Sequence, residues 1–273
     1  MTALDLSAPV PVPITKRGWF IRLVQLGVIA FFVVAWEVLG QLGVLDKFYY
    51  SRPSLFIARI AQWFGEGLGP TSIWNDMRVT LLETVLGFVI GTLLGVTIGY
   101  AFARNQLLGQ AFDPLLSMFN AIPRLVLAPV FILAFGIDLA SKVALGVTLV
   151  FFIVFFATFT AVRDVDQTLV DNVRVLGARR RDVTFEVLLP AAFSAIVASL
   201  RTSAGFASAG AVVAEFIGSN AGLGRRIATA EAFFDSTGVF GGIVVIAVLA
   251  LILDFALQWV EGAFSRWKPR REH

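Results

Sequence analysis

The sequence contains no cysteine and a single histidine, His273, which is its last residue. Disulfides, Cys/His zinc or haem sites and histidine acid–base catalysis therefore have no residues to use, and we expect neither a metal site nor catalytic residues. Charge is scarce as well, because charged residues make up 15% of the chain against about 25% in a soluble domain. These absences disfavour a redox enzyme, a metallohydrolase and an ordinary soluble domain.

Hydrophobic residues, by contrast, make up 58% of the chain, and the mean hydropathy is +0.82. A bilayer core of about 30 Å requires about 20 apolar residues in a helix. Six stretches have this length, so the sequence predicts an all-α integral membrane protein with six transmembrane helices. They are Trp19–Leu42, Val79–Ala103, Leu115–Phe135 (interrupted by Pro123 and Pro129), Val143–Val162, Ala191–Val213 and Val239–Val260.

Lysine and arginine in the connecting segments predict the orientation. With the N-terminus in the cytoplasm, thirteen of these residues fall on the inner side and seven on the outer side, which favours both termini inside. The first span is too long for a signal peptide and is predicted to be retained. The predicted organisation is a cytoplasmic tail (1–18), a first transmembrane helix (19–42), an outer loop with an interfacial helix (43–78), a five-helix core (79–260) with a cytoplasmic loop (163–190), and a basic cytoplasmic tail (261–273) that anchors at the membrane.

The loop between the fourth and fifth spans is longer than a connection needs. Leu169, Val173 and Leu176 are spaced i, i+4 and i+7, which predicts a short helix with one apolar stripe. Gly177 is expected to end this helix in a left-handed cap, and Pro190 to open the next membrane helix. These residues leave two interpretations open: a helix lying on the membrane surface, or a coupling helix that sits in a groove of a separate motor subunit.

The order of residues in this loop favours the coupling helix. Asp171 is followed by Gly177 and, after nine further residues, by Val187–Pro190. The loop resembles the cytoplasmic signature of the inner-membrane permeases of ATP-binding cassette importers, with Asn172 and Val173 in place of two alanines. The resemblance implies a type I importer permease fold. It assigns contact with the ATPase to Asp171, Val173, Arg174, Leu176, Gly177, Ala178, Val187, Leu189 and Pro190.

Three other stretches support the same family: Ile122-Pro123 with Pro129, Phe135-Gly136-Ile137 with Ser141-Lys142, and Ala214-Glu215 leading to Gly222-Leu223-Gly224. The chain is most similar to the nitrate, sulfonate and taurine branch of these permeases. This resemblance implies that Glu215, Gly222 and Gly224 belong to a segment near the outer mouth, where a binding protein docks.

No lysine of the chain follows a glycine, so the phosphate-binding loop ending in Gly-Lys-Ser/Thr is absent and the chain cannot hydrolyse ATP itself. The resemblance implies an ATPase subunit that holds ATP and Mg, an extracytoplasmic solute-binding protein and a second copy of the chain, within the lipid of the bacterial cytoplasmic membrane. We expect no cofactor on this chain and no nucleic-acid partner.

Charges inside the predicted spans call for a partner or a function. Arg201 and Asp254 lie at similar depths, which predicts a structural ion pair. The alternative is a substrate path, because Arg124 lies at nearly the depth of Arg201, and two guanidinium groups favour an anionic solute such as a sulfonate, nitrate, taurine or a related organic acid. Asn120 and Ser117, one and two turns before Arg124, would add hydrogen bonds.

The predicted function is a non-catalytic permease subunit that forms the translocation path. A stand-alone secondary transporter or channel is the alternative. Such a carrier is expected to place several acidic residues at mid-depth or to show internal repeats. The central charges here are mostly arginines, and the halves show no convincing repeat.

Overall fold

The computed structural model describes residues 18–105, 107–109, 111–112, 118–119 and 122–265. All regular secondary structure in these residues is helical. The helices are α1 (Gly18–Gln41), α2 (Lys47–Tyr50), α3 (Pro53–Gly65), α4 (Ile73–Arg104), α5 (Ala128–Phe135), α6 (Leu139–Arg163), α7 (Gln167–Val175), α8 (Leu189–Ile217), α9 (Leu223–Ala232) and α10 (Ser236–Ser265). A 3-10 turn (Arg124–Leu127) precedes α5, and a short helical turn (Arg180–Asp182) and a π-helical stretch (Val183–Leu188) lead into α8.

Five helices of the described chain are long and apolar enough to cross a membrane, and they match five of the six predicted spans. They are Trp19–Gln41, Ile73–Arg104, Leu139–Arg163, Val183–Ile217 and Ser236–Trp259. Most of these helices begin a few residues before the apolar stretch that the sequence predicts. A helix begins at its capping residue and not at its first apolar residue. At the start of α4, for example, the hydroxyl of Ser72 accepts a hydrogen bond from the backbone N–H of Asn75 at 3.3 Å.

The predicted third span is not one continuous helix. Ile122 and Pro123 are not helical, and α5 has only eight residues, too few to cross a bilayer. A proline inside a helix removes a backbone donor, and Pro129 is instead accommodated in the first turn of α5. The two predicted path residues Ser117 and Asn120 lie outside the described residues.

The segment between α4 and α6 nevertheless passes from one end of the bundle to the other. Arg104, in the last turn of α4, and Arg163, in the last turn of α6, line the same cavity, so these two helices run parallel. The chain between two parallel helices must return to the opposite end, a distance of about 30 Å across a bilayer core. A sixth crossing is therefore required between α4 and α6, and the 3-10 turn and α5 are helical elements described in this part of the chain.

Glycine lets α4 and α6 pack with their backbones close together. A Cβ atom on Gly91 would lie 2.7 Å from Cβ of Val150, and one on Gly95 would lie 2.8 Å from Cβ of Val154. Small residues four positions apart are the usual means of close helix packing in membranes, and Gly87, Gly91, Gly95 and Gly99 recur at this spacing on α4. Val150 and Val154 form a buried cluster with Ala207 of α8, so α4, α6 and α8 make the centre of the protein.

The N-terminal helices lie at the edge of this centre. The segment 43–78, predicted to contain a helix, includes α3, which packs on α10 through a cluster that includes Trp63 and Val245. Helix α1 approaches the rest of the protein through Trp36, whose ring centroid is 5.6 Å from that of Phe56 and 5.1 Å from that of Phe240. None of the residues in its apolar window is buried, which leaves the side chains of α1 for lipid.

Candidate functional site

The loop between α6 and α8 contains the short helix α7, which ends in a Schellman motif. Gly177 has a φ of +89°, in the left-handed region predicted for it. The N–H of Gly177 donates to the carbonyl of Arg174 at 2.9 Å, and the N–H of Ala178 donates to the carbonyl of Val173 at 3.2 Å. These bonds satisfy two carbonyls at the end of the helix and fix the direction in which the chain leaves it.

Leu169 and Leu176 of the predicted apolar stripe face away from the bundle, and a further apolar residue, Val170, faces into it. Val170 is only 2% exposed and anchors the helix. Leu169, Val175 and Leu176 are 53%, 87% and 86% exposed. Val170 packs with Val165, Val183 and Leu188, and with Ala178 and Val187 at the edge of the cluster. A nine-residue helix with apolar residues on two sides does not reveal from spacing alone which side faces the bundle. The chain before and after α7 decides it, because both flanks are held in this cluster.

Polar residues hold the start and the exposed side of α7. Hydrogen bonds from the side chain and backbone of Thr168 lower the pKa of the Asp166 carboxyl, which caps the helix N-terminus with a backbone bond of 2.8 Å. On the exposed side, a guanidinium nitrogen of Arg174 lies 3.1 Å from Oδ1 of Asp171. The loop therefore presents a preformed surface with both apolar and charged side chains.

The connection from the loop into α8 is helical throughout. Pro190 lies in the first turn of α8, as predicted, but the backbone before it forms the π-helical stretch Val183–Leu188. There the N–H of Leu189 donates to the carbonyl of Thr184, five residues earlier. The backbone bonds before Pro190 thus reach five residues back instead of four. The missing N–H of Pro190 falls where this pattern changes, so the proline does not break the helix.

At the opposite end of α8 the carboxylate of Glu215 is the centre of a buried hydrogen-bond network. Glu215 is 1% exposed. Its Oε1 accepts from the hydroxyl of Thr80 and its Oε2 from the N–H of Gly224, each at 2.7 Å, and the Thr80 hydroxyl accepts from the N–H of Leu223 at 2.9 Å. Gly222 has a φ of +112°, and a Cβ atom there would lie 2.3 Å from the carboxylate. The network therefore requires glycine beside the acid.

A second acid fixes the same turn from α4. Oδ1 of Asp76 accepts from the N–H of Gly222 at 2.9 Å, and Oδ2 accepts from Nε of Arg226 at 2.7 Å. The guanidinium group of Arg226 also lies 5.0 Å from the ring centroid of Trp63, on α3. Helices α3 and α4 are thus joined to the start of α9, which is distant from both in sequence.

Two further charged residues are buried near this network. Glu83 is 2% exposed and Lys142 is fully buried, and each interacts electrostatically with Glu215. The ammonium group of Lys142 donates to the carbonyl of Ile137. Asp76, Thr80, Glu83 and Lys142 are not among the site residues predicted from the sequence. Their position as polar residues inside long apolar helices was the signal that could have revealed them.

The two arginines of the predicted substrate path have different neighbours. Nε of Arg201 is 3.4 Å from Oδ1 of Asp254, and the two side chains are 55% and 38% exposed. Arg124 lies in the 3-10 turn before α5, with its guanidinium carbon 4.5 Å from the ring centroid of Phe152 on α6. The geometry of the predicted ion pair is therefore present, while a role of either arginine in a substrate path stays a prediction.

The loop and the Glu215 network lie at opposite ends of the protein. Pro190 and Glu215 are 25 residues apart on α8, which corresponds to about 38 Å along a helix. Residues 87–266, which contain both, match the family of binding-protein-dependent transport system inner membrane components. The chain belongs to this family. It is a permease subunit of an ATP-binding cassette importer and not an enzyme, and ATP is used by a separate subunit.

Named relatives lie in the same group of transporters. The chain is 32% identical over 257 residues to a Bacillus subtilis protein named as an aliphatic sulfonates transport permease, SsuC, covering 94% of this chain and 91% of SsuC. It is 25% identical over 244 residues to the taurine transport system permease TauC of Escherichia coli, covering 89% of each. The sulfonate and taurine branch inferred from the sequence motifs is therefore confirmed.

The fold is also found in solved transporters. A chain of the MetNI methionine ABC transporter, in an inward-facing conformation, is similar with a TM-score of 0.56 and 20% sequence identity over 70% of this chain and 93% of that one. At this identity the likeness concerns the fold, which is that of a type I importer permease. A stand-alone carrier or channel is not favoured by these relationships.

Proposed function

We propose that two copies of this chain form the membrane path of an importer for a small anionic solute, such as a sulfonate, nitrate, taurine or a related organic acid. An extracytoplasmic solute-binding protein delivers the solute, and an ATPase subunit that holds ATP and Mg drives the transport. The chain itself binds no cofactor. The proposal is supported by the names of the sulfonate and taurine permeases that it is similar to.

The observation that carries the coupling role is the outward side of α7. Leu169, Val175 and Leu176 are large apolar side chains that point away from the Val170 cluster and are more than half exposed. Burying each of them in a partner would contribute about 1.5–3 kcal/mol. Exposed apolar residues rimmed by charges, here Asp171 and Arg174, are typical of a protein–protein interface. We assign this surface to the ATPase.

In this assignment the loop end of the protein faces the cytoplasm and the Glu215 end faces outward. The excess of arginine supports this orientation, because residues 163–190 contain five arginines, at 163, 174, 179, 180 and 181. Both termini then lie in the cytoplasm, with the tails 1–18 and 261–273 flanking a first helix (19–42), an outer segment (43–78) and the core (79–260). The turn at Glu215, Gly222 and Gly224 then lies where the binding protein docks.

Replacing Leu176 with Asp tests the coupling surface. We expect Leu176→Asp to weaken retention of the co-expressed ATPase subunit at least about tenfold, because a contact of more than 1.4 kcal/mol is lost and a charge is buried. Gly177→Pro is expected to have the same effect, since proline cannot adopt a φ of +89°. The measurements are co-purification of the ATPase and ATP-dependent uptake in proteoliposomes.

Leu68→Asp is the matched control, because Leu68 is 90% exposed but belongs to the segment between α3 and α4. It should keep the ATPase at the wild-type ratio. If Leu176→Asp also keeps the ATPase and full uptake, the assignment of α7 is wrong.

The anionic substrate class is tested at Arg124. We expect Arg124→Ala to lower uptake of an aliphatic sulfonate by about tenfold, because a guanidinium–sulfonate contact is a charge-assisted hydrogen bond. Arg124→Lys, which keeps the charge, should retain part of the uptake. Uptake is measured in cells that express the complete transporter, with the amount of membrane-inserted permease checked for each variant. An Arg124→Ala transporter with full uptake would exclude the anion role.

A further inference from the structure

A cavity of about 560 Å³ lies at the loop end of the protein, between α7 and the ends of α4 and α6. Three arginines line it, one from each helix: Arg104, Arg163 and Arg174. Asn105 and Gln167 add amide groups, and none of the described residues that line it is acidic. We call it the arginine cavity. It is distinct from the exposed apolar side of α7, because the anchoring residue Val170 lines it while Leu176 does not.

The positive charges of the arginine cavity are only partly compensated. Arg174 has Asp171 at 3.1 Å, on the exposed side of α7. Arg163 stacks on the ring of Phe159 at 5.1 Å, and no ion pair to Arg104 or Arg163 is formed by the described residues. Arg104 and Arg163 each lie in the last turn of a helix. The negative end of the helix dipole, equivalent to about half an elementary charge, compensates only part of each positive charge. A net positive cavity remains.

The shape and chemistry of the cavity suit an oxyanion. Guanidinium groups bind phosphate and sulfonate groups with paired hydrogen bonds. The side-chain oxygen of Asn105 accepts from the N–H groups of Leu107 and Leu108, which leaves its NH₂ group as a further donor. Like charges that share a cavity repel each other, so an anion between them is stabilised by each and relieves their repulsion.

We propose that the arginine cavity binds a phosphate-type oxyanion that bridges α4, α6 and α7. The group belongs either to the headgroup of an anionic phospholipid, since two of the helices end at the membrane surface, or to a free anion. Because Arg174 is on α7, occupancy stabilises the docking of this helix on the membrane helices. The proposal does not depend on which solute is transported.

The test uses the full-length chain and two probes. Inorganic phosphate is titrated into the chain in neutral detergent, against sodium chloride at equal ionic strength. Phosphatidylglycerol is compared with phosphatidylcholine in lipid nanodiscs. We expect at least one of these probes to raise the midpoint of thermal unfolding of the wild type. The double variant Arg104→Gln/Arg163→Gln should lose this response, with an affinity at least about tenfold lower.

Arg181→Gln is the matched control, because Arg181 lies in the same loop but its guanidinium group contacts the ring of Phe185. It should respond as the wild type does. Arg104→Lys/Arg163→Lys preserves the charge and should bind with intermediate affinity, which provides a measurement if the glutamine variant does not fold. A response to phosphatidylglycerol alone identifies a headgroup, and a response to phosphate alone identifies a free anion. Equal responses of the wild type and the glutamine variant, or none from the wild type, would overturn the proposal.

Discussion

Glu215 shows how a single side chain can join segments that the sequence keeps far apart. Its carboxylate accepts hydrogen bonds from α4 through Thr80 and from the start of α9 through the N–H of Gly224. A buried donor without a partner costs about 1–3 kcal/mol. Loss of the carboxylate therefore has consequences for the packing of α4, α8 and α9 together.

We predict that Glu215→Ala destabilises the protein by about 2–4 kcal/mol, because the Gly224 N–H and the Thr80 hydroxyl both lose their acceptor. Glu215→Gln is the control. Its amide oxygen can accept from Gly224 and its NH₂ can donate to Thr80, so it should stay within about 1 kcal/mol of the wild type. The measurement is the midpoint of thermal unfolding in detergent. An unchanged midpoint for Glu215→Ala would show that the network does not hold these helices.

The residues of this network were only partly predictable. Glu215, Gly222 and Gly224 follow from a local pattern that resembles a family motif. Asp76 and Thr80 do not, because the backbone groups that they bind are 146 and 143 residues away. A polar residue in an apolar helix indicates that a partner exists. It does not identify that partner.

At the scale of helices, close packing of α4 on α6 makes a specific demand on side-chain volume. We predict that Gly95→Ala destabilises the protein by about 1–3 kcal/mol, because the new methyl group would lie 2.8 Å from Cβ of Val154 and 3.0 Å from the carbonyl oxygen of Phe151. Gly27→Ala on α1 is the matched control. Among the described residues, nothing beyond the neighbouring backbone of α1 lies within 4 Å of its Cβ position, and alanine is the better helix former, so the variant should be neutral or slightly stabilising.

Thermal unfolding of both variants in the same detergent checks this prediction. If Gly95→Ala and Gly27→Ala shift the midpoint equally, the glycine positions on α4 do not govern its contact with α6.

Long helices were predicted more securely than short ones. Five spans follow from hydropathy alone, since about 20 apolar residues have no other stable arrangement in lipid. The side of α7 that faces the bundle does not follow from hydropathy. Leu169 and Val170 are both apolar neighbours, and only tertiary contacts bury Val170. The broken third span depends on Pro123, whose effect on a helix depends on what packs beside it.

At the scale of the whole molecule, the orientation in the membrane can be measured by cysteine labelling. The chain has no cysteine of its own, so each introduced cysteine is the only one it contains. We predict that Leu68→Cys reacts with a membrane-impermeant maleimide on intact spheroplasts, whereas Leu176→Cys reacts only after permeabilisation. Both side chains are more than 85% exposed, so access and not burial decides the labelling. The wild-type chain itself is not labelled, since it has no cysteine, so the label is read on the purified permease. The reverse labelling pattern would place α7 outside and exclude contact with a cytoplasmic ATPase.

The unbroken helical path from Val183 to Ile217 has a mechanical consequence. Its 35 residues span about 50 Å, with the π-helical stretch at one end and the Glu215 network at the other. All of these residues are helical, so the path is one continuous element along which a displacement of the loop can reach the other end. A push of a few ångströms on α7 would therefore tilt the carboxylate of Glu215 and the turn that it holds on the far side of the membrane.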